Sequence, residues 1–414
     1  MDLIVKEYST KHFECFNLTA KDLQTAAMLE KSGHLTIRPV ASGAVVETGP
    51  YIGAVKLDSA NIVIRPKFTD DRLLFKMLAY SLELKDITFL DDYINLPVSK
   101  AWITDLLVMC LVKDIDKILL KGLLRRYKEQ EEHLTSLRGK IDFSRLAGQY
   151  ARGAVSIPCR FEDFSTDILE NRILLATLKL VFPWLSSPPL LSRVSYLIEM
   201  LSEEARSDFH LGKMLEDLER KEDRLGNYYK RALYLCHLIY QATTFAFRRD
   251  RIADYQAFLF DMNLLFEKFM YRILNDCAPL NYQIKYQRSI GGYYESERGK
   301  SNTLMPDYQI FNHNLSVCIA DAKYKLYEER SVDPADLYQL TVYGLAGNME
   351  DVVIYYPAQN KTTNHYKLRD SNGKGLLKVR VVGIPLTEIL EQINSRGKIE
   401  ESARRLIWDE LVSC

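Results

Sequence analysis

The segment Met305-Pro306-Asp307-Tyr308-Gln309-Ile310 is followed, after a short loop, by Leu315-Ser316-Val317-Cys318-Ile319-Ala320-Asp321-Ala322-Lys323. An acid after a proline, then an apolar run ending in Asp-x-Lys, groups the residue types that metal-dependent phosphodiester hydrolysis requires. If the run is a strand, its side chains alternate between faces, so Leu315, Val317, Ile319, Asp321 and Lys323 share one face. Asp321 then offers a hard oxygen ligand to a divalent cation, and Asp307 on the preceding strand offers a second. Lys323 adds an ammonium that can orient a water or steady the negative charge gained in the transition state.

Further residues could support that chemistry. Glu267 lies in the apolar helical pattern Leu264-Leu265-Phe266-Glu267-Lys268-Phe269, and Gln339 and Tyr343 stand four apart on the pattern Asp336 to Tyr343, sharing a face. A lone Asp-x-Lys is more often an ordinary pair at a strand end, and a lone glutamate beside phenylalanines is more often a solvated edge residue. The order proline-acid strand, Asp-x-Lys strand, amphipathic helix with Gln and Tyr favours the catalytic reading. Arg138, Lys140 and Lys325 are candidate contacts to DNA phosphate, and the pairs Arg125-Arg126 and Arg248-Arg249 with Arg251 are weaker ones, since basic clusters are usually solvated faces. Gly299-Lys300-Ser301 resembles the end of a phosphate-binding loop, but the earlier glycine that the loop needs would fall at Tyr294. No nucleotide site of its own is expected, and the histidines show no metal-ligand spacing.

The elements that must position these residues can be read from periodicity. Residues 1–68 carry short alternating runs, such as Gly53 to Leu57 and Asn61 to Lys67, around one helix at Ala20 to Lys31, which predicts a small antiparallel β unit. Helical spacing follows at Leu73 to Tyr80 and Trp102 to Lys121, lapses into a β-rich excursion over residues 122–160, and returns at Thr166 to Val181 and across residues 190–248. Ser165 or Thr166 is the expected N-cap. From about residue 255 the pattern reads helix (Tyr255 to Leu274), strands, helix (Pro334 to Gly347), strand (Asp351 to Tyr356) and strand (Leu377 to Pro385), with residues 359–375 as a flexible loop. The expected division is a β domain over residues 1–68, a mostly helical region with a β insertion over residues 69–250, and an α/β domain over residues 251–414.

Composition narrows the class. Lys plus Arg and Asp plus Glu are 55 each, which argues against a generic nucleic-acid coat but does not exclude a local basic groove. Seven scattered cysteines without a C-x-x-C pair suggest neither a zinc site nor a disulfide framework and suit a reducing cytoplasm. The N-terminus lacks the pattern of a signal peptide, and the apolar stretch at Leu106 to Val112 is too short to span a bilayer, so no membrane association is expected.

The last third resembles the PD-(D/E)xK nuclease superfamily, and the wider chain resembles the McrC family, the nuclease subunit of modification-dependent McrBC restriction systems. The resemblance is carried by Tyr51-Ile52-Gly53-Ala54-Val55, Ile62 to Lys67, Met77-Leu78-Ala79-Tyr80, Leu137-Arg138-Gly139-Lys140-Ile141, Cys159-Arg160-Phe161 and Asn171-Arg172-Ile173-Leu174. It continues in Leu265 to Phe269, Pro306-Asp307, Ile319 to Tyr324 and Leu337 to Leu340. It implies a multidomain α+β protein whose C-terminal α/β domain has the PD-(D/E)xK nuclease fold, with Asp307, Asp321 and Lys323 catalytic and Mg2+, replaceable by Mn2+, held by Asp307 and Asp321. It also implies a McrB-like AAA+ GTPase ring, bound and stimulated through the N-terminal and middle regions, and cleavage of double-stranded DNA carrying modified cytosine. Two alternatives stay open: a partner-independent recombination or repair nuclease on the same core, and a non-catalytic activator of an AAA+ ring.

Overall fold

A computed structural model of the 414-residue chain describes residues 2–67, 71–82, 102–150, 156–206, 210–219, 228–244, 257–297, 299–325, 327–394 and 397–412. The chain divides into two compact units, one made of Met1–Lys100 with Phe245–Cys414 and the other of Ala101–Thr244. These limits differ from the boundaries expected at residues 68 and 250. The reason lies in the segment Ala257-Phe258-Leu259-Phe260, expected to open a helix. It is a strand, Ala257–Asp261, paired antiparallel with Tyr51–Lys56. Four consecutive apolar residues with both faces buried suit a strand inside a sheet as well as a helix, and tertiary pairing decides between them. Ala257 and Leu259 thereby join the core of Leu3, Val5, Val46, Val55, Ile62 and Ile64.

The N-terminal portion holds two sheets and the predicted helix Ala20–Lys31. Thr19 caps that helix by accepting from the Asp22 amide, while the Asp22 carboxylate accepts from the Thr19 amide, a reciprocal capping box. The unit is not purely antiparallel, since Asp2–Lys6 runs parallel to Asn61–Arg65. A parallel pair needs a long crossover, and the helix and the small sheet of Thr10–Glu14, Gly43–Thr48 and Leu35–Val40 lie within it.

A six-stranded mixed sheet follows, in the order Tyr282–Tyr286, Tyr308–Asn312, Leu315–Ala322, Asp351–Ala358, Gly375–Pro385, Thr362–Arg369. Leu315–Ala322, Asp351–Ala358 and Gly375–Pro385 run parallel, and the helix Pro334–Ala346 forms the crossover between the first two. Asp333 caps this helix by accepting from the Ala335 amide, and Pro334 occupies its first turn, where no amide hydrogen is missed. Residues 359–375, expected to be a loop, instead supply the edge strand Thr362–Arg369, whose mostly exposed polar side chains masked its pairing. The helix Met262–Cys277 is capped by the Asp261 carboxylate and buries Phe266, Phe269 and Met270.

The second unit is helical, with Trp102–Lys121 as predicted and a long region resolved into Pro188–Glu204, Leu211–Glu219 and Lys230–Thr244. The β excursion is a three-stranded sheet of Arg126–Leu134, Ile157–Ser165 and Lys140–Ile141. The helix Leu169–Val181 starts later than predicted. Ile168 takes the N-cap position, where its aliphatic side chain makes no capping bond, while the Ser165 hydroxyl accepts from the Asp167 amide and the Thr166 hydroxyl donates to Glu204. Among the described residues no helix is long and apolar enough to cross a membrane.

Candidate active site

The Asp-x-Lys run forms the strand Leu315–Ala322, but its alternation is interrupted. Ile310 opposes Cys318 and Phe311 opposes Ser316, which leaves Val317 as a bulge. The shared face therefore holds from Ile319 to Lys323 and does not extend to Leu315, which is exposed. Ile319 packs in one core cluster with Leu340, and the Lys323 ammonium donates to Gln339 Oε1 at 2.9 Å, so this face meets the helix Pro334–Ala346.

Asp307 and Asp321 come together through a backbone clasp. The Asp307 amide donates to Asp321 Oδ1 at 3.3 Å, and Asp307 Oδ2 accepts from the Ala322 amide at 2.8 Å. The clasp forms where pairing between their strands stops, since the last ladder pair is Tyr308 with Ala320. Asp321 is 3% exposed in its side chain and forms an ion pair with Lys323, which is 19% exposed. Gln339 passes its amide hydrogen to the Tyr343 hydroxyl at 3.0 Å, so the predicted i, i+4 pair lines up behind the lysine. Glu267 Oε1 accepts from the Gln287 side chain at 2.7 Å.

The electrostatics are those of crowded carboxyls. Burial, then the charges of Asp321 and Glu267, push the Asp307 carboxyl up to about 9. Burial also raises Glu267, with Asp321 adding to the shift against hydrogen bonds from Tyr286 and Gln287. For Lys323, burial alone would lower the ammonium, but the Asp321 carboxylate outweighs it and the net shift is upward. Burial and the neighbouring carboxylates thus act on Asp307 and Glu267 around the Asp321–Lys323 ion pair, in a partly dry site. Asp321 Oδ2 is buried and faces the Lys323 ammonium, its ion-pair partner. The donor set is all oxygen, as Mg2+ requires. Among the described residues no three Asp, Glu, His or Cys side chains are gathered to enclose an ion, and Asp307 and Asp321 are the two carboxylates that the clasp brings together.

Lys325 stands two residues beyond Lys323, but its ammonium is engaged by Asp333 at 3.2 Å and Asp336 at 2.6 Å. Asp336 also accepts from the Tyr327 hydroxyl, so this cluster ties the first turn of the Gln339 helix to the chain following the strand. Arg138 and Lys140 lie in the second unit. Arg138 pairs with Asp163 at 2.8 Å and stacks over Phe161 at 4.1 Å, while the exposed Lys140 sits opposite Arg160. Arg126 is held by Glu170 at 2.6 Å. Arg248, Arg249 and Arg251 fall outside the described residues. Gly299–Thr303 is one strand of a hairpin with Tyr293–Ser296, not a loop entering a helix, so the phosphate-loop likeness has no structural basis.

Some contributors carried no signal in the sequence. The Tyr308 hydroxyl donates to the Glu267 carbonyl at 2.6 Å, and Gln287 reaches Glu267 from the neighbouring strand end. Alternation along Tyr282–Tyr286 could have indicated a strand, but only the fold brings its end beside a helix.

A family model described as the McrBC 5-methylcytosine restriction system component matches residues 46–357. No curated protein matches the chain. Among solved structures, the chain resembles the refined half-complex from the tetradecameric assembly of Thermococcus gammatolerans McrB AAA+ hexamers with bound McrC, at 18% identity, 100% coverage of both chains and a TM-score of 0.57. It also matches the cryo-EM structure of the Thermococcus gammatolerans McrBC complex at 17% identity over 67% of this chain and 88% of that one, with a TM-score of 0.46. The first likeness is one of fold, a mixed α/β chain with several sheets. The family match spans well over half of the 414 residues, and the chain belongs to the McrBC 5-methylcytosine restriction system component family.

Proposed function

We propose that this chain is the Mg2+-dependent endonuclease subunit of a modification-dependent restriction complex, with a PD-(D/E)xK core that cleaves double-stranded DNA. The observation that carries the reading is the clasp of Asp307 and Asp321 at adjacent strand ends, with Lys323 paired to Asp321 on the same face. Asp307 and Asp321 would hold the cation, and Glu267 stands near enough to feel their charge. When bound, Mg2+ supplies Lewis-acid charge to the scissile phosphate and to the attacking water. Lys323, fixed from two sides by Asp321 and Gln339, keeps its ammonium where the phosphate gains negative charge, a contribution of about 3 kcal/mol in comparable sites. Tyr343 holds Gln339 and so limits the rotamers open to the lysine's acceptor. Lys325 serves this reading as the brace of the Gln339 helix, since its charge is matched by Asp333 and Asp336.

The partner follows from the family and from the solved assembly, in which McrC is bound to McrB AAA+ hexamers. This chain would dock on such a GTPase ring through its N-terminal strands and its second unit, stimulate GTP hydrolysis, and cut DNA whose modified cytosine the complex recognises. The test is a cleavage assay with the full chain, the AAA+ partner, GTP and Mg2+ on methylated and unmethylated duplexes. Double-strand cuts that need methylation, GTP and partner together would support the reading. Cuts by the chain alone on either duplex would favour a partner-independent repair nuclease, and GTPase stimulation without any cut would favour a non-catalytic activator.

A further inference from the structure

We propose that Glu7 and Tyr8, from the N-terminal strands, are positioning residues for the Lys323 ammonium, acting through Tyr324. The inference rests on the nuclease reading above. Beyond Ala320 the Asp321 strand loses its neighbour on one side, because the Tyr308–Asn312 strand pairs no further. On the other side the Lys323 amide still donates to the Tyr355 carbonyl at 2.8 Å. The chain after Lys323 therefore leaves the sheet with ladder pairing on one side only, and the backbone that presents Lys323 to Asp321 and Gln339 depends on what holds Tyr324.

The N-terminal segment supplies the missing support. The Tyr8 hydroxyl donates to the Tyr324 carbonyl, and the Tyr324 hydroxyl donates to Glu7 Oε1 at 2.7 Å. Glu7 is fully buried, and the same Oε1 accepts from the Lys67 amide at 2.7 Å, so the carboxylate is anchored in the sheet from which it projects. Tyr324, 1% exposed, packs its ring on Phe266 at 5.8 Å, next to Glu267. A buried carboxylate is costly unless its bonds are satisfied, and here one of them is spent on the residue beside the candidate catalytic lysine. Tyr8 itself stands at φ 51, a region that L-residues other than Asn, Asp and His rarely adopt, in the turn that aims its ring at Tyr324. Residues more than three hundred positions apart thus form one latch, and strands expected to serve docking also fix the catalytic geometry.

The experiment is single-turnover cleavage of methylated duplex by the full chain with its AAA+ partner, GTP and Mg2+, comparing Tyr8→Phe, Tyr324→Phe, Glu7→Leu, Glu7→Gln and Lys323→Ala. The two Tyr→Phe variants should lower the single-turnover rate by about 10- to 100-fold, the cost of misplacing a catalytic group by an ångström or less, with the half-saturating duplex concentration unmoved and the thermal midpoint lowered only as far as one lost buried hydrogen bond requires. Glu7→Gln, whose amide oxygen can accept the same bonds, should recover most of what Glu7→Leu loses. Wild-type rates in the Tyr→Phe variants while Lys323→Ala is silent would overturn the latch and leave the nuclease reading standing. Rates that fall only in step with the thermal midpoint and duplex affinity would also overturn it, as ordinary packing. Normal cleavage by Lys323→Ala would remove the nuclease reading, and the latch with it.

Discussion

Two regions of this chain are rich in acids and bases, and they treat them in opposite ways. In the sheet of the second unit, Arg160 pairs with Glu131 at 2.6 Å, Arg145 with the same Glu131 at 2.7 Å, and Arg138 with Asp163 at 2.8 Å, with every one of these side chains at least 38% exposed. Opposite charges there lie side by side in water, where each pair is worth little and none is forced. At the strand ends of the first unit, Asp307 and Asp321 are clasped together beside Lys323, and burial with the charges of Asp321 and Glu267 raises the proton affinity of Asp307. On the nuclease reading, carboxyls crowded in this way are what an added cation would offset.

That contrast can be broken most directly at Asp321. Asp321→Ala should bring Mg2+-dependent cleavage to background while leaving assembly with the AAA+ ring and GTPase stimulation intact, as read by gel cleavage and by GTP hydrolysis. Residual cutting at the wild-type rate would show that the clasped carboxyls are not catalytic. A second strong effect concerns how the acidic site is supported from the N-terminal sheet. Leu259, fully buried between Gly53 and the residues 3–64 core, belongs to that sheet, so Leu259→Ala should destabilise the whole first unit by about 2–5 kcal/mol in denaturant titrations. Deleting residues 1–68 would uncover the same strand and should leave the first unit unfolded, not an independent nuclease domain. A folded truncated chain, seen by circular dichroism, would restore the boundary first expected.

A third test uses pH. The ordinary aspartate value is about 3.9, and in the fold Asp307 is pushed up to about 9. A raised carboxyl value means that the folded state holds a proton the unfolded chain releases. Its contribution to stability is present below about pH 4 and is lost as pH rises through about 9. Metal-free protein should therefore weaken from pH 5 to pH 8.5, and Mg2+ should offset the loss increasingly as pH rises. Denaturation midpoints that are flat with pH in EDTA would contradict the crowding. The smallest effect belongs to the exposed sheet, where Arg160→Ala should change stability by no more than about 1 kcal/mol. A larger loss would erase the distinction between the two regions.

The sequence made some of this legible and hid the rest for identifiable reasons. The Asp-x-Lys strand, the Trp102–Lys121 helix and the Gln339 helix could be read because each carries its own period, the last with a cap at Asp333. Ala257–Asp261 could not, since an unbroken apolar run has no period to distinguish strand from helix. The edge strand Thr362–Arg369 looked like a loop because an edge spends its side chains on solvent. The Val317 bulge depends on register with a neighbour and leaves no mark in composition.

What the amino-acid order determined by itself was local: residue types, their spacing, the helices they favour, and an Asp-x-Lys placed at the end of an apolar run. What only the tertiary structure decided was company. The clasp between Asp307 and Asp321, the hydrogen bond from Lys323 to Gln339, and the reach of Glu7 and Tyr8 to Tyr324 all join segments that are separated along the chain. Periodicity encodes which face of an element is buried, but a contact between elements depends on the packing of both, and that becomes defined only when the shared core forms.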